Sequence, residues 1–361
     1  MCSSDLANLD LGRIDAAKRV LDQLYALKRP DWQQHLGFWD TEIAKRRLAV
    51  SASDAKTQLT MTVLRIDGPV WLDRNSPTAS LFAAKPPDAP CICFPGSSAE
   101  IAGAGQNIER QLAEARGRLS RSLPLFLAEQ IFFATEASSC TLIPWIVQPS
   151  AGFILSGGAE SDRSAADLAR KSDARAAYVV TTHLICRDEP WGVELRIVRT
   201  ADDSCVGHLQ SSVMPARPEE TLPHLSRRVA DLLAAQSGVR PLQSSSFYEP
   251  PTGQNFGHYL LRLEQLLAVR CSAMDGAGAN FLHGEREIVA GNIDLALSCP
   301  QNVAVRLVLA QTLRGLNRVR PDIVIEFRDT IKMLRAEHPL AGRAQQAIEQ
   351  LFDSIFAASP G

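Results

Sequence analysis

Cysteine pairs at metal-ribbon spacing are missing from this chain. The eight cysteines, Cys2, Cys91, Cys93, Cys140, Cys186, Cys205, Cys271 and Cys299, form no C-x-x-C pair, which argues against a zinc ribbon or a thioredoxin-type redox site. Scattered through apolar runs, they read as buried free thiols of a reducing compartment, with no metal and no cofactor expected. An excess of basic charge is missing too. The formal net charge is −2, so a general nucleic-acid binder, which needs a basic face for phosphates, is not expected. Nor is there a long apolar run. The best stretch, Leu123 to Ala128, meets Glu129 and Gln130 at once, whereas a spanning helix needs about 20 mostly apolar residues. No membrane span is expected in the visible chain.

Catalytic signatures are equally scarce. There is no G-x-S-x-G elbow, no H-E-x-x-H, and no lysine in P-loop position. Gly103-x-Gly105 is followed by Ile108 where a dinucleotide fingerprint has glycine. The histidines have no ligand spacing. His183 and His208, on neighbouring predicted strands, are expected to be satisfied structural residues. Trp39, Trp71, Trp145 and Trp191 are expected in packing.

What is present is a folded composition, 45% apolar and 22% charged over 361 residues, enough for two or three domains. Residues 1–50 are expected to be helical. Ile14, Ala17, Leu21, Leu24 and Leu27 make one apolar face, Pro30 ends that helix, and a second runs from Asp31 to about Leu48. Lys45-Arg46-Arg47 reads as a solvated face.

Residues 56–236 change period. Strands are predicted over Gln58–Ile66, Cys91–Phe94 and Thr141–Val147, the last with Pro144 suggesting an edge or bulge. The proline-rich stretch 73–90 reads as a surface loop, and a helix over Asn107–Thr135 is expected to break or kink at Pro124. A short helix over Ser164–Lys171 precedes strands Ala177–Cys186, Gly192–Thr200 and Ser204–Val213, joined by hairpin turns, and helix Glu219–Ala235 closes the segment. Residues 237–256 read as a linker. Residues 257–361 read as helices over Gly257–Val269, Glu285–Leu297, Val303–Asn317, Asp322–Arg335 and Ala341–Phe356. The expected fold is therefore α+β or α/β: a central mixed sheet with a C-terminal three-stranded meander, flanked by helical segments.

The one candidate ligand site is Gly96-Ser97-Ser98-Ala99-Glu100, read as a strand-to-helix turn whose amides could cradle a phosphate. Gly96, Ser97, Ser98 and Glu100 are its residues, and the pattern resembles a turn of TIR-like nucleotide-binding domains. The plainer reading is a tight turn with a serine cap.

Residues 165–236 resemble the TolB-amino-terminal-like and CsgG/LpoB-like α/β domains of bacterial proteins. The likeness rests on Ala166, Leu168 and Ala169 leading into Ala177-Tyr178-Val179-Val180-Thr181, then on Val193 to Val198, Ser204 to His208 and the helix near Glu219. Thr182 stands where that family usually has glycine. The helical ends resemble degenerate tetratricopeptide repeats through Leu11 to Ala17, Pro300, Asn302, Leu309, Ala310, Gly315 and Pro339; an ordinary bundle fits the same spacing. The resemblances imply a binding or assembly module, so the expectation is a non-enzymatic interaction or scaffold protein with a protein or peptide partner, placed in the cytoplasm. A nucleotide-binding domain using the Gly96–Glu100 turn and a cell-envelope assembly factor are the alternatives. Met1-Cys2-Ser3-Ser4-Asp5-Leu6 looks like a translated sequencing-adapter end, so the native N-terminus is expected to lie upstream.

Overall fold

A computed structural model describes residues 14–27, 29, 32, 36, 39, 43, 60–100, 108–110, 114–148, 151–236, 238–242, 247–274, 282 and 284–357. Residues 1–6, the Lys45-Arg46-Arg47 run and Gly103-x-Gly105 lie outside the described residues.

The chain folds as a mixed α/β protein. After helix α1 (Ile14–Ala26) come β1 (Thr60–Asp67), β2 (Cys91–Pro95), β3 (Ser98–Glu100), β4 (Ile108–Arg110), α2 (Ala115–Ala134), β5 (Ser138–Gln148), β6 (Gly152–Ser156) and α3 (Asp162–Ser172). The meander β7 (Ala176–Ile185), β8 (Trp191–Arg199) and β9 (Ser204–Val213) follows, then α4 (Leu222–Ala234). Helices α5 (Gln254–Ser272), α6 (Glu285–Ser298), α7 (Val303–Val319), α8 (Pro321–Glu326), α9 (Arg328–Glu337) and α10 (Gly342–Ala357) complete it.

One sheet holds the strands, in the order β4-β6-β5-β2-β7-β8-β9. β1 lies antiparallel on the far edge of β5, and β3 continues along β7 where β2 leaves off. The centre, β5-β2-β7, is parallel, and such pairing needs long crossovers. One crossover contains α2 and the other α3. The two helices cover opposite faces. Cys91, Cys93, Cys140, Leu142, Val179 and Val198 meet Ala165, Ala166 and Ala169 of α3. Ile92 and Phe94 join the large core that includes Leu123, Phe126 and Leu127 of α2.

Because α2 lies between the sheet and α5, it is buried nearly all round, and that explains the Leu123–Ala128 run. No described helix is long and apolar enough to cross a membrane.

Several expectations shift. α2 starts at Ala115, not near Asn107, and two short strands precede it. Pro124 sits inside α2 without ending it. A proline leaves the carbonyl four residues back without its helical donor. Here that carbonyl, Ser120 O, accepts the Ser97 N–H at 3.0 Å. Pro144 is not at an edge: β5 is flanked on one side by β1 and on the other by β2 and then β6, and Pro144 stands between those two partners. The predicted helix Asp322–Arg335 is two helices that meet at Phe327. α3 starts at Asp162 rather than at Ser164, and Ser161 caps it.

Residues 237–256, predicted as a linker, are packed where they are described. Leu242 N–H caps the Ala134 carbonyl at 2.8 Å, Thr135 and Pro241 form a β-bridge, and Val239 and Tyr248 join the core. That core runs unbroken from Ile66 to Phe356, so the α/β part and helices α5–α10 share one interior. Within the helical part, α7 is the hub, with α5, α6, α8 and α10 packed around it. The N-terminal helical residues keep a small core of their own, Ala17, Leu21, Leu36 and Ile43, and α1 reaches α6 through the Tyr25 hydroxyl on Glu287.

Candidate functional site

Gly96 to Glu100 is a strand junction rather than a strand-to-helix turn. The Gly96 N–H donates to Leu142 O at 2.8 Å and the Ser97 N–H to Ser120 O. Ser98 to Glu100 then pairs with His183 to Ile185 of β7. Two of the amides offered to a phosphate by the sequence pattern, those of Gly96 and Ser97, are therefore occupied by the protein's own carbonyls. Glycine fits closely at position 96: a Cβ there would lie 3.0 Å from Pro144 Cδ.

The hydroxyl of Ser98 meets His183 Nδ1 at 2.8 Å. Glu194 stands opposite His183 on β8, and its Oε1 meets His208 Nε2 at 2.7 Å. Ser98, His183, Glu194 and His208 thus form a polar row across four strands. Burial lowers the His183 pKa, opposed by Glu194 and Glu100, so at neutral pH the ring is held towards its uncharged form. Glu100 pairs with Arg187, and Arg196 with Asp162 at 2.6 Å. His183 and His208 are on alternate strands, with β8 between them, and both have polar partners. Ser98 is on a strand rather than at the strand-to-helix elbow that carries the nucleophile in α/β-hydrolases.

A second cluster could not be read from spacing. Cys91 and Cys93 project from β2 to one face, and Cys140 stands opposite Cys93 on β5. All three are buried, and their sulfurs lie within 4.8 Å of one another. Hydrogen bonding with Cys140, and then with Cys93, draws the Cys91 thiol down; Cys93 is pushed up by its contacts with Cys140 and Cys91, and Cys140 is pushed up by Cys91 against an opposing pull from Cys93. The spacing that matters is spatial: the third thiol is on the strand that returns after α2.

A third feature is the outer edge of β1. Among the described residues β1 pairs on one side only, with β5. Thr60 to Val63 are all exposed, Met61 at 47% and Val63 at 39%. The stretch Thr60-Met61-Thr62-Val63-Leu64 holds no charge, no proline and no glycine. Further along, Arg65 is occupied by Asp173 at 2.6 Å and Asp67 at 2.7 Å. Edge strands in stable proteins are usually blunted by charge, proline or bulges, and this half of β1 carries none of the side-chain devices. A register irregularity at Thr60/Met61 lies at its very start.

Finally, a surface cleft of about 360 Å³ is bounded by Phe247, Tyr248, Cys299 and Asn302, between the 247–249 segment and the start of α7.

No family model matches the chain, and neither curated proteins nor solved structures yield a match.

Proposed function

We propose that the chain is a non-enzymatic interaction or scaffold protein that takes up a segment of a partner protein as an added strand along β1. The observation that carries this reading is the unblunted β1 edge. Its backbone N–H and C=O groups offer main-chain hydrogen bonds, and Met61 and Val63 supply alternate apolar contacts that select side chains of the incoming strand. The resemblance of residues 165–236 to binding and assembly domains supports the same reading. The occupied amides of Gly96 and Ser97 weigh against the nucleotide-binding alternative.

Selection from a displayed random peptide library tests it. Enriched peptides are expected to alternate apolar and polar residues, to bind the native chain, and to lose at least about tenfold in affinity on Met61→Lys/Val63→Lys, which places two charges on the edge. Gln210→Lys, at the opposite edge strand, is expected to leave binding unchanged. Absence of enrichment, or peptides indifferent to the β1 substitutions, would refute the proposal.

A further inference from the structure

The three thiols beneath α3 are arranged as a ligand set. Cys93 and Cys140 face each other in register on parallel strands, with their sulfurs 3.4 Å apart, and Cys91 lies 3.7 Å from Cys140. A metal about 2.3 Å from each of three coplanar sulfurs spans sulfur–sulfur separations of about 4 Å. The cluster needs only sub-ångström adjustment to reach that triangle. Each thiol comes from a central strand held by ladders on both sides, so the ligands are positioned by the sheet rather than by a loop.

The surroundings limit the choice of metal. Above the sulfurs lie Ala165, Ala166 and Ala169, which bring no competing donor. Among the described residues, no histidine, carboxylate or further cysteine joins the three thiols as a ligand-bearing group. Ser138 Oγ, the adjacent hydroxyl, donates to Pro90 O at 3.3 Å, and Asp173 is held by Arg65 and Arg175. A structural Zn(II) site wants four ligands in a tetrahedron. Soft thiolates without a fourth donor suit Cu(I). The guanidinium of Arg65 acts on Cys140 as a nearby positive charge, which offsets part of the negative charge of a thiolate–metal unit.

We propose that Cys91, Cys93 and Cys140 form a three-thiolate site selective for a soft monovalent cation, Cu(I), over Zn(II). On binding, the thiol protons leave to solvent as Cu–S bonds form, and copper enters and stays in the +1 state, so no oxidant or reductant is consumed. Because the sulfurs are buried, the ion enters when α3 lifts from the sheet or while the chain folds. This site is on the covered face of the central strands, away from the outer edge of β1, and stands or falls independently of strand addition.

The test is an anaerobic titration of the reduced full chain with Cu(I) against a chromophoric Cu(I) chelator, read by competitor release and by thiolate-to-copper charge transfer in the ultraviolet. One tightly held equivalent is expected. Cys140→Ser is expected to weaken it by more than about 100-fold, beyond the loss typical of removing an outer-shell partner. Cys271→Ser, in the helical core, and Cys205→Ser, on the exposed strand, are expected to leave it unchanged. X-ray absorption of the copper-loaded native chain gives a second readout that needs no variant, with three sulfur neighbours expected. The proposal is overturned by failure to compete with the chelator, by undiminished binding in folded Cys140→Ser, by two-sulfur or oxygen and nitrogen coordination, or by Zn(II) displacing Cu(I) at equal concentration.

Discussion

Glu129 is fully buried in α2, yet its carboxylate accepts hydrogen bonds from Trp71 Nε1, Tyr248 Oη and Tyr259 Oη, each at 2.7 Å. Burial outweighs these donors and pushes its pKa up from 4.5 to about 7. The folded state therefore holds this proton more tightly than the unfolded chain. Below pH 4.5 both states are protonated and the group is neutral for stability. As pH rises through 4.5 the unfolded state ionises first, and stability falls until about pH 7, by roughly 3 kcal/mol in all. Glu129→Gln is expected to flatten that segment of the pH–stability curve, measured by urea unfolding from pH 4 to 8; a parallel curve would contradict the assignment. Nothing near Glu129 in the sequence announces the site, because its donors come from the turn after β1, the segment read as a linker, and α5. Turn chemistry marks Ser98 in the sequence, but its partner His183 becomes visible only when β3 and β7 are paired.

At the scale of elements, the joint between α2 and α5 decides how the α/β part meets the helices. Arg121 Nε donates to Glu264 Oε1 at 2.8 Å in an ion pair buried on both sides, and Arg121 lies 4.7 Å over the Phe153 ring. Phe126 and Phe256 meet edge to face at 4.9 Å along the same joint. Arg121→Met leaves the Glu264 charge buried without its partner and is expected to cost about 3–5 kcal/mol. The double change Arg121→Met/Glu264→Leu is expected to recover most of that loss in denaturant unfolding. Long periodic elements were legible from sequence: β9, α6 and α7 begin where the pattern places them, and the meander came with its hairpin turns. The short ones were not. β3 and β4 are three residues each, too few to establish an alternation, and Ser97 is recruited by a distant helix carbonyl.

For the whole molecule, a shared interior predicts shared unfolding. The core amides of α2 and α5 are expected to exchange with one common, denaturant-dependent opening free energy in native-state hydrogen exchange, whereas α1, with its small separate core, opens more easily. Distinct openings for α2 and α5 would mean that the packed 238–242 and 247–256 segments behave as the spacer their composition suggested. Composition misled there because serine, proline and glycine favour loops, but they say nothing of Val239, Leu242 and Tyr248, which anchor the crossing.

The proline in α2 adds something further. By surrendering one rung of its own helix, the chain leaves the Ser120 carbonyl, which the Ser97 N–H meets. Sliding β2 and β3 by one residue would leave Ser120 O and the Ser97 amide mismatched. It would also turn Cys91 and Cys93 towards α2 and send Ile92 and Phe94 to α3. The carbonyl freed by Pro124 thus acts like a pawl, one more contact that agrees with the alignment the ladders and the two buried faces already set for the central strand.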